Sequence, residues 1–405
     1  MLAHDGFERL RMRKRPFVLA VVPVSLAGAS GDSVNERQLL EALSKQVERI
    51  IIFSIVPFPK LRRFSEPEIY NGTIVELPYI RFLSMFFTIW YSFIIMFVAC
   101  LLDVVHKINF IYVRGSFSAF GLMFNRKLAK KTLVKHPSFI EDELKIQGTI
   151  LSLIKKCSLV IDKIVLSKCN KIGIPSRLYI RYLAKRRLVV RPISDYIVVP
   201  PGVNLSKIFQ MVNFHSLGNS DDKIKIGFIG TITWWQGIDI LVKACSIVKN
   251  KFPNIKLVLI GGGNQRELDL VEGICKKENL DYEITGYMPH EDALKRLREL
   301  DVMVLPRRRI SATESNIPLK VIEAWALGIP VIVTRHKVFL ENGIRDYEDV
   351  IFCEPQPLSV ANAILMLLNE PALREKLRIN GLRLAFRFDY NRIAQNLLKV
   401  FEENV

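Results

Sequence analysis

The sequence predicts an α/β protein built from two doubly wound domains that face each other across a cleft. Three observations carry this reading. A chain of 405 residues is too long for one core. In both halves, short apolar runs of strand type alternate with longer helical patterns, the mark of a parallel sheet covered on both faces. A turn-rich connector at Tyr196-Ile197-Val198-Val199-Pro200-Pro201-Gly202 separates the two series. With 50% of residues apolar and 24% charged, the chain is globular rather than disordered.

The first series opens with an apolar run, Phe17–Val24, and a loop containing Gly28 and Gly31. Ser33-Val34-Asn35-Glu36 then has capping-box spacing and starts a helical stripe through Leu39, Leu40 and Leu43. A second run, Ile50–Ile55, completes a β-loop-α-β unit. The basic stretch Arg9 to Arg15 followed by Phe17 to Leu26 imitates a signal peptide, but cleavage would destroy that unit, so the strand reading is preferred. Strand-like runs follow at Thr73–Leu77, Asn109–Val113 and Thr132–Lys135.

Between the first two of these lie residues 82–102, which contain no charge and are long enough to cross a bilayer. A crossing would separate two runs that should share one sheet. Ser84, Thr88 and Ser92 also give one helical face a mildly polar character. Whether this helix is buried, interfacial or spanning stays open at this point.

The second series runs Ile224–Gly230, a helix around Asp239–Val248, Lys256–Gly263, a helix around Gln265–Lys277, Tyr282–Thr285, a helix around Asp292–Leu300, Asp301–Pro306, a helix around Leu319–Leu327, and Pro330–Thr334. That makes five strands. Asp389–Glu403 reads as an amphipathic helix with Ile393, Leu397, Leu398 and Phe401 on one face. The expected division is a basic tail at 1–15, one Rossmann-like domain at 16–200, a second at 201–385, and a helix at 386–405 that packs back toward the first domain.

Charge is unevenly divided. Residues 1–200 hold 31 Lys+Arg against 15 Asp+Glu, a net of +16, and residues 201–405 hold 27 against 25, a net of +2. The first half should therefore face something anionic. No nucleic-acid reader motif is present, so a nucleic-acid partner is not expected. The six cysteines form no Cys-x-x-Cys pair and read as reduced thiols.

The stretch Asp301 to Thr334 carries the chemistry. A strand ends at Pro306, Arg307-Arg308-Arg309 follow, and Pro318 stands just ahead of a helix, where proline is tolerated. Helix amides beside Arg307 and Lys320 make an electropositive pocket suited to a pyrophosphate. Glu323, one turn into that helix, can accept two hydrogen bonds from vicinal ribose hydroxyls.

Here the chain resembles the retaining glycosyltransferases of family 4, whose two Rossmann-like domains form the GT-B fold. Pro201-Gly202-Val203-Asn204 looks like the interdomain turn, and Gly227-Phe228-Ile229-Gly230 with Gln236-Gly237 like the first donor-domain loop. Leu257 to Gly263 and Gly286-Tyr287-Met288-Pro289-His290 are similar to the next two strand ends. The chain departs from the family in three places. Ser315, beside Glu314, stands where the first of two glutamates is usual, and Thr231 and Gln236 replace a usual cation pair. A subset instead has an arginine after the strand proline and Pro-Leu-Lys before the second glutamate, which Arg307 and Pro318-Leu319-Lys320 match.

The resemblance implies transfer of a sugar from a nucleotide-sugar donor with retention of configuration. It implies catalytic roles for Arg307 and Lys320 as phosphate cations, and for His136, since a histidine after this strand faces the cleft in the family. His136 precedes an acidic helix start, Glu141-Asp142-Glu143. Donor contacts are expected from Gly28, Gly31, Gly230, Thr231, Gln236, Gly262, Tyr287, Glu314, Ser315 and Glu323, with Glu314 and Ser315 as alternatives for the sugar. His290 is expected only to start a helix. Trp234 and Trp235 could stack on a ligand or serve packing. No Asp-x-Asp occurs, so neither a metal nor another cofactor is expected. The basic half and the apolar 82–102 helix suggest a glycan or lipid-linked acceptor, met at an anionic membrane surface by a cytoplasmic, peripheral protein. A non-catalytic glycosyltransferase-like subunit, a sugar-nucleotide epimerase and a sugar phosphorylase are the alternatives on this fold.

Overall fold

The computed structural model describes residues 15–28, 30–57, 66–79, 84–137, 152–212 and 223–402. The basic tail to residue 14, Glu141-Asp142-Glu143, residues 82 and 83, and Glu403 lie outside them. The described residues form two all-parallel sheets. The first comprises β1 (Phe17–Val22), β2 (Arg49–Pro57), β3 (Gly72–Tyr79), β4 (Phe110–Arg114), β5 (Thr132–Lys135), β6 (Lys171–Ile174) and β7 (Tyr196–Val198), ordered β3-β2-β1-β4-β5-β6-β7. The second comprises β8 (Ile224–Ile229), β9 (Ile255–Ile260), β10 (Tyr282–Ile284), β11 (Val302–Leu305), β12 (Val331–Thr334) and β13 (Ile351–Cys353), ordered β10-β9-β8-β11-β12-β13. This is the expected class, two Rossmann-like domains.

Burial on both faces explains why β1 is apolar throughout. Along β1, Leu19 and Val21 enter the core on one face while Val18, Ala20 and Val22 enter that on the other. The strand stops at Val22, two residues short of the expected end, because Pro23 has no N–H for the ladder. The second sheet has six strands rather than five. Ile351–Cys353 is only three residues long and shows no period of its own. The capping box expected at Ser33 is also displaced. The helix α1 (Gly31–Ser44) is capped by Ser30, whose Oγ accepts from Ser33 N at 3.2 Å, so Ser33 is already helical.

Residues 84–102 of the uncharged segment lie in the helix α2 (Ser84–His106). The strands that flank it, β3 and β4, belong to the same sheet. The helix Tyr390–Glu402 lies in the N-terminal domain's core through Tyr390, Ile393, Ala394, Leu397, Leu398 and Phe401, and Phe401 stacks on Phe110 with centroids 3.8 Å apart.

In each sheet the strand order reverses once, between β1 and β4 and between β8 and β11. Ligands of open parallel sheets bind beyond the carboxyl ends of the strands at such reversals. The chain leaving β8 is Gly230-Thr231, and the chain leaving β11 is Pro306-Arg307. On the other side, α1 begins after β1, and β4 ends at Arg114.

Candidate active site

Both reversals open onto one cleft of about 450 Å³. The N-terminal domain lines it with Ser30, Gly31, Asp32 and Asn35, and the C-terminal domain with Gly230, Thr231, Gln236, Tyr287, His290, Arg307, Asn316, Lys320 and Glu323.

Two cations lie side by side on the C-terminal wall of the cleft. The Arg307 side chain is buried over the Trp235 ring, 4.9 Å from its centroid, and its Nε donates to Gln236 Oε1 at 3.0 Å. Trp235 thus packs under a cleft cation. Burial pushes the Arg307 guanidinium down to about 9, so it stays charged at neutral pH. Lys320 Nζ sits 4.3 Å from the Phe228 ring centroid. Burial, and then the neighbouring Arg307 charge, hold its ammonium well below the ordinary lysine range, with Glu323 opposing the shift. Gly230, at φ +127°, makes room for it, since a Cβ there would collide with Lys320 Nζ. Among the described residues no carboxylate is bonded to either cation, and two such partly desolvated cations form a place for an anion.

Glu323 is 4% exposed, and its Oε1 lies 2.6 Å from His290 Nε2. His290 opens the helix His290–Arg298, so its ring comes to Glu323 from a separate element. Glu323 Oε2 takes no hydrogen bond among the described residues and remains for the cleft. Asn316 also lines the cleft, and its buried Oδ1 has no partner there, which offers an acceptor to a ligand hydroxyl. Sequence reasoning missed both roles. Their signals were faint: His290 ends the Gly286–His290 run, and Asn316 follows Ser315.

Across the cleft, Asp32 accepts from Arg114 Nη2 at 2.8 Å. Arg114 Nη1 and Lys135 Nζ both reach Glu36 Oε1 at 2.8 Å, and the Tyr112 hydroxyl donates to Glu36 Oε2 at 2.7 Å. Burial pushes the Glu36 carboxyl up, but Lys135 and Arg114 outweigh it and hold it at about 2. Glu36 is therefore the anchor of a buried ionic cluster rather than a capping residue, and the cluster aims Asp32 at the cleft.

Five expected site residues lie elsewhere. His136 is buried, with Nδ1 2.8 Å from the Tyr179 hydroxyl and Nε2 3.1 Å from Asp162 Oδ1, and it does not line the cleft. Both ring nitrogens are spent inside the domain. Gly28 turns away, its amide bonded to Ser25 O and its carbonyl accepting from Arg37 Nη1. Gly262 lies beneath the Tyr287 ring, where a Cβ would come within 2.9 Å of the ring carbons. Glu314 is 3.2 Å from His336 Nδ1 and accepts from Lys337 N at 2.9 Å, so its carboxylate is drawn to the next helix start. Ser315 is buried, and its carbonyl accepts from Ser176 Oγ of the N-terminal domain at 2.8 Å. Gly31, Gly230, Thr231, Gln236, Tyr287, Arg307, Lys320 and Glu323 are the expected residues that the structure brings together.

The fold and this interdomain cleft define a protein of the GT-B class. The chain is similar to sucrose-phosphate synthase from Thermosynechococcus elongatus, with a TM-score of 0.71 and 20% identity over 95% of this chain and 98% of that one. It is also similar to Anabaena Alr3699/HepE in complex with UDP and glucose, with a TM-score of 0.69 and 12% identity over 96% and 100% of the two chains. Within that class, residues 210–383 match the family described as Glycosyl transferases group 1.

Among curated relatives, an uncharacterized glycosyltransferase of Methanocaldococcus jannaschii is 26% identical over 58% of this chain and 64% of its own length. The phosphatidyl-myo-inositol mannosyltransferase of Mycobacterium leprae is 26% identical over 56% of this chain and 58% of its own. The N,N'-diacetylbacillosaminyl-diphospho-undecaprenol alpha-1,3-N-acetylgalactosaminyltransferase of Campylobacter jejuni is 24% identical over 54% of this chain and 56% of its own. The chain thus spans less than two thirds of the length of each of these relatives.

Proposed function

We propose that the protein is a glycosyltransferase that takes a hexosyl or related sugar from a nucleotide-sugar donor and passes it, with retention of configuration, to a glycan or lipid-linked acceptor. The observation that carries this is the pairing on one wall of a cation couple, Arg307 and Lys320, with a carboxylate, Glu323, that keeps one oxygen free. The spacing suits a nucleoside diphosphate: ribose hydroxyls donate to Glu323, and the two cations meet the phosphates. The donor sugar then points toward Asp32 and Ser30 across the cleft, where the acceptor enters.

Charge on the diphosphate grows as the sugar leaves, so the two cations stabilise the transition state more than the bound donor. Lys320 supplies a point charge and Arg307 a planar fork, which lets them divide the oxygens without a metal ion. Retention follows if the departing phosphate oxygen takes the acceptor proton on the face the sugar leaves. Arg307 and Pro318-Leu319-Lys320 support placing the chain in the Pro-Leu-Lys subset. The names of the M. leprae and C. jejuni relatives support a lipid-linked acceptor. The net +16 of residues 1–200 supports a peripheral position on an anionic, cytosolic membrane face.

Screening nucleotide sugars for thermal stabilisation tests the donor half of this proposal. A ligand at 100 times its Kd adds about 2.7 kcal/mol, a readily measured rise in Tm. Stabilisation by one base and sugar, with release of that nucleoside diphosphate when an acceptor is added, supports it. An isomerised or phosphorolysed sugar would identify an epimerase or phosphorylase, and the absence of any stabilisation would leave a non-catalytic subunit.

A further inference from the structure

The helix α2 presents an apolar stripe that the fold leaves uncovered. Phe86, Trp90, Phe97, Leu101, Val104 and Val105 are each 65–79% exposed. At about 100° per residue they fall within an arc of about 100°, and at about 1.5 Å per residue they extend over about 28 Å. Scattered apolar residues on a surface are ordinary, but a continuous stripe of this length is not.

The opposite face fastens the helix sideways to its domain. Ser92, Ile95, Ala99 and Asp103 are buried there. Ser92 Oγ accepts from Gly121 N at 2.9 Å, and the chains approach so closely that a Cβ on Gly121 would collide with the Ser92 carbonyl. Asp103 is paired with Lys131 at 2.6 Å and Lys127 at 2.8 Å. Because β3 and β4 share a sheet, α2 cannot stand across a bilayer while that sheet is intact.

We infer that α2 lies in the plane of a membrane and sinks this stripe into the outermost apolar layer of one leaflet. Charge selects the occupant. Lys107, Arg126 and Lys130 are exposed at the carboxyl end of the helix, and the short helix Arg126–Ala129 packs against it, so a basic border adjoins an uncharged stripe. That combination fits anionic headgroups over acyl chains. The exposed Phe124, 5.4 Å from Phe93 by ring centroids, broadens the patch beside the helix. Only the use of this surface, to bring the cleft to a lipid-linked acceptor, rests on the proposed function.

Vesicle sedimentation of the full chain tests the inference. The protein should pellet with vesicles containing anionic lipid, and part should stay bound in 1 M salt, because apolar contact is not screened. The triple variant Phe86→Ser, Phe97→Ser, Leu101→Ser should partition about 100-fold more weakly. Its binding of nucleoside diphosphates should match the wild type, which shows that it folds. Trp90 fluorescence should be quenched more by lipids brominated high on the acyl chain than by lipids brominated near its end. Equal partition of the variant and wild type would overturn the inference, leaving charge alone. Resistance to alkaline carbonate would overturn it in favour of a span, and a vesicle-free dimer that dissociates in the variant in favour of a second copy. If vesicles bind but no nucleotide does, the proposed function fails while this surface stands.

Discussion

Replacing Glu323 probes the proposed donor site most sharply, because one of its oxygens meets His290 and the other has no partner among the described residues. In Glu323→Ala the ribose loses charge-assisted hydrogen bonds worth about 1.5–3 kcal/mol, so Kd for the nucleoside diphosphate should rise about 10- to 150-fold. The His290 ring, 2.6 Å from Glu323 Oε1, loses its partner in the same step. His290→Ala should cost less, about 1 kcal/mol, because Glu323 keeps its charge and loses only orientation. The two changes share one hydrogen bond, so the double variant should be weaker than wild type by less than the sum of the single effects. Isothermal titration of the four proteins measures this. A Glu323→Ala Kd within twofold of wild type would refute the ribose assignment, and strict additivity would refute the positioning role of His290.

Lys320 supplies a pH signature. Its ammonium is held well below the ordinary lysine range by burial and Arg307, and a bound diphosphate should favour the charged form and raise it again. Donor affinity should therefore fall as pH rises through the depressed pKa, and calorimetry in buffers of different ionisation enthalpy should show proton uptake that disappears in Lys320→Met. Transfer activity should survive a chelator; loss in EDTA that magnesium or manganese restores would contradict a cation pair that works without metal. In the N-terminal domain, Glu36 titrates at about 2 against an ordinary 4.5, so its stabilising contribution is complete above about pH 4.5 and is lost as pH falls toward 2. That contribution is about 3 kcal/mol. Glu36→Gln strands Lys135 in the core and leaves Arg114 only Asp32, and should cost about 3–5 kcal/mol at neutral pH, with a shallower acid transition, as followed by denaturant unfolding across pH.

Much of this was legible because it depends on local period and spacing. The alternation of apolar runs and helical stripes gave both domains, and Arg307, Lys320 and Glu323 lie close enough in sequence for one loop and helix to present them together. The illegible parts depend on contacts that sequence distance hides. His290 meets Glu323 across 33 residues, and nothing near either announces the pairing. Ser33 and Glu36 have capping-box spacing, yet Glu36 gains more from two buried cations than from a helix end. Glu314 was one of the two residues expected to meet the sugar, but His336 and the Lys337 amide draw its carboxylate away, and His136 spends both ring nitrogens on Tyr179 and Asp162. The last strand pair of the C-terminal sheet, β12 with β13, was hidden because three residues carry no measurable period.

A structure of the protein with a nucleoside diphosphate bound tests the central claim most directly. The account predicts the ribose hydroxyls on Glu323, the diphosphate between Arg307 and Lys320, and the terminal phosphate facing Asp32 across the cleft. A nucleotide seated away from these three side chains, or a diphosphate that reaches neither cation, would contradict it.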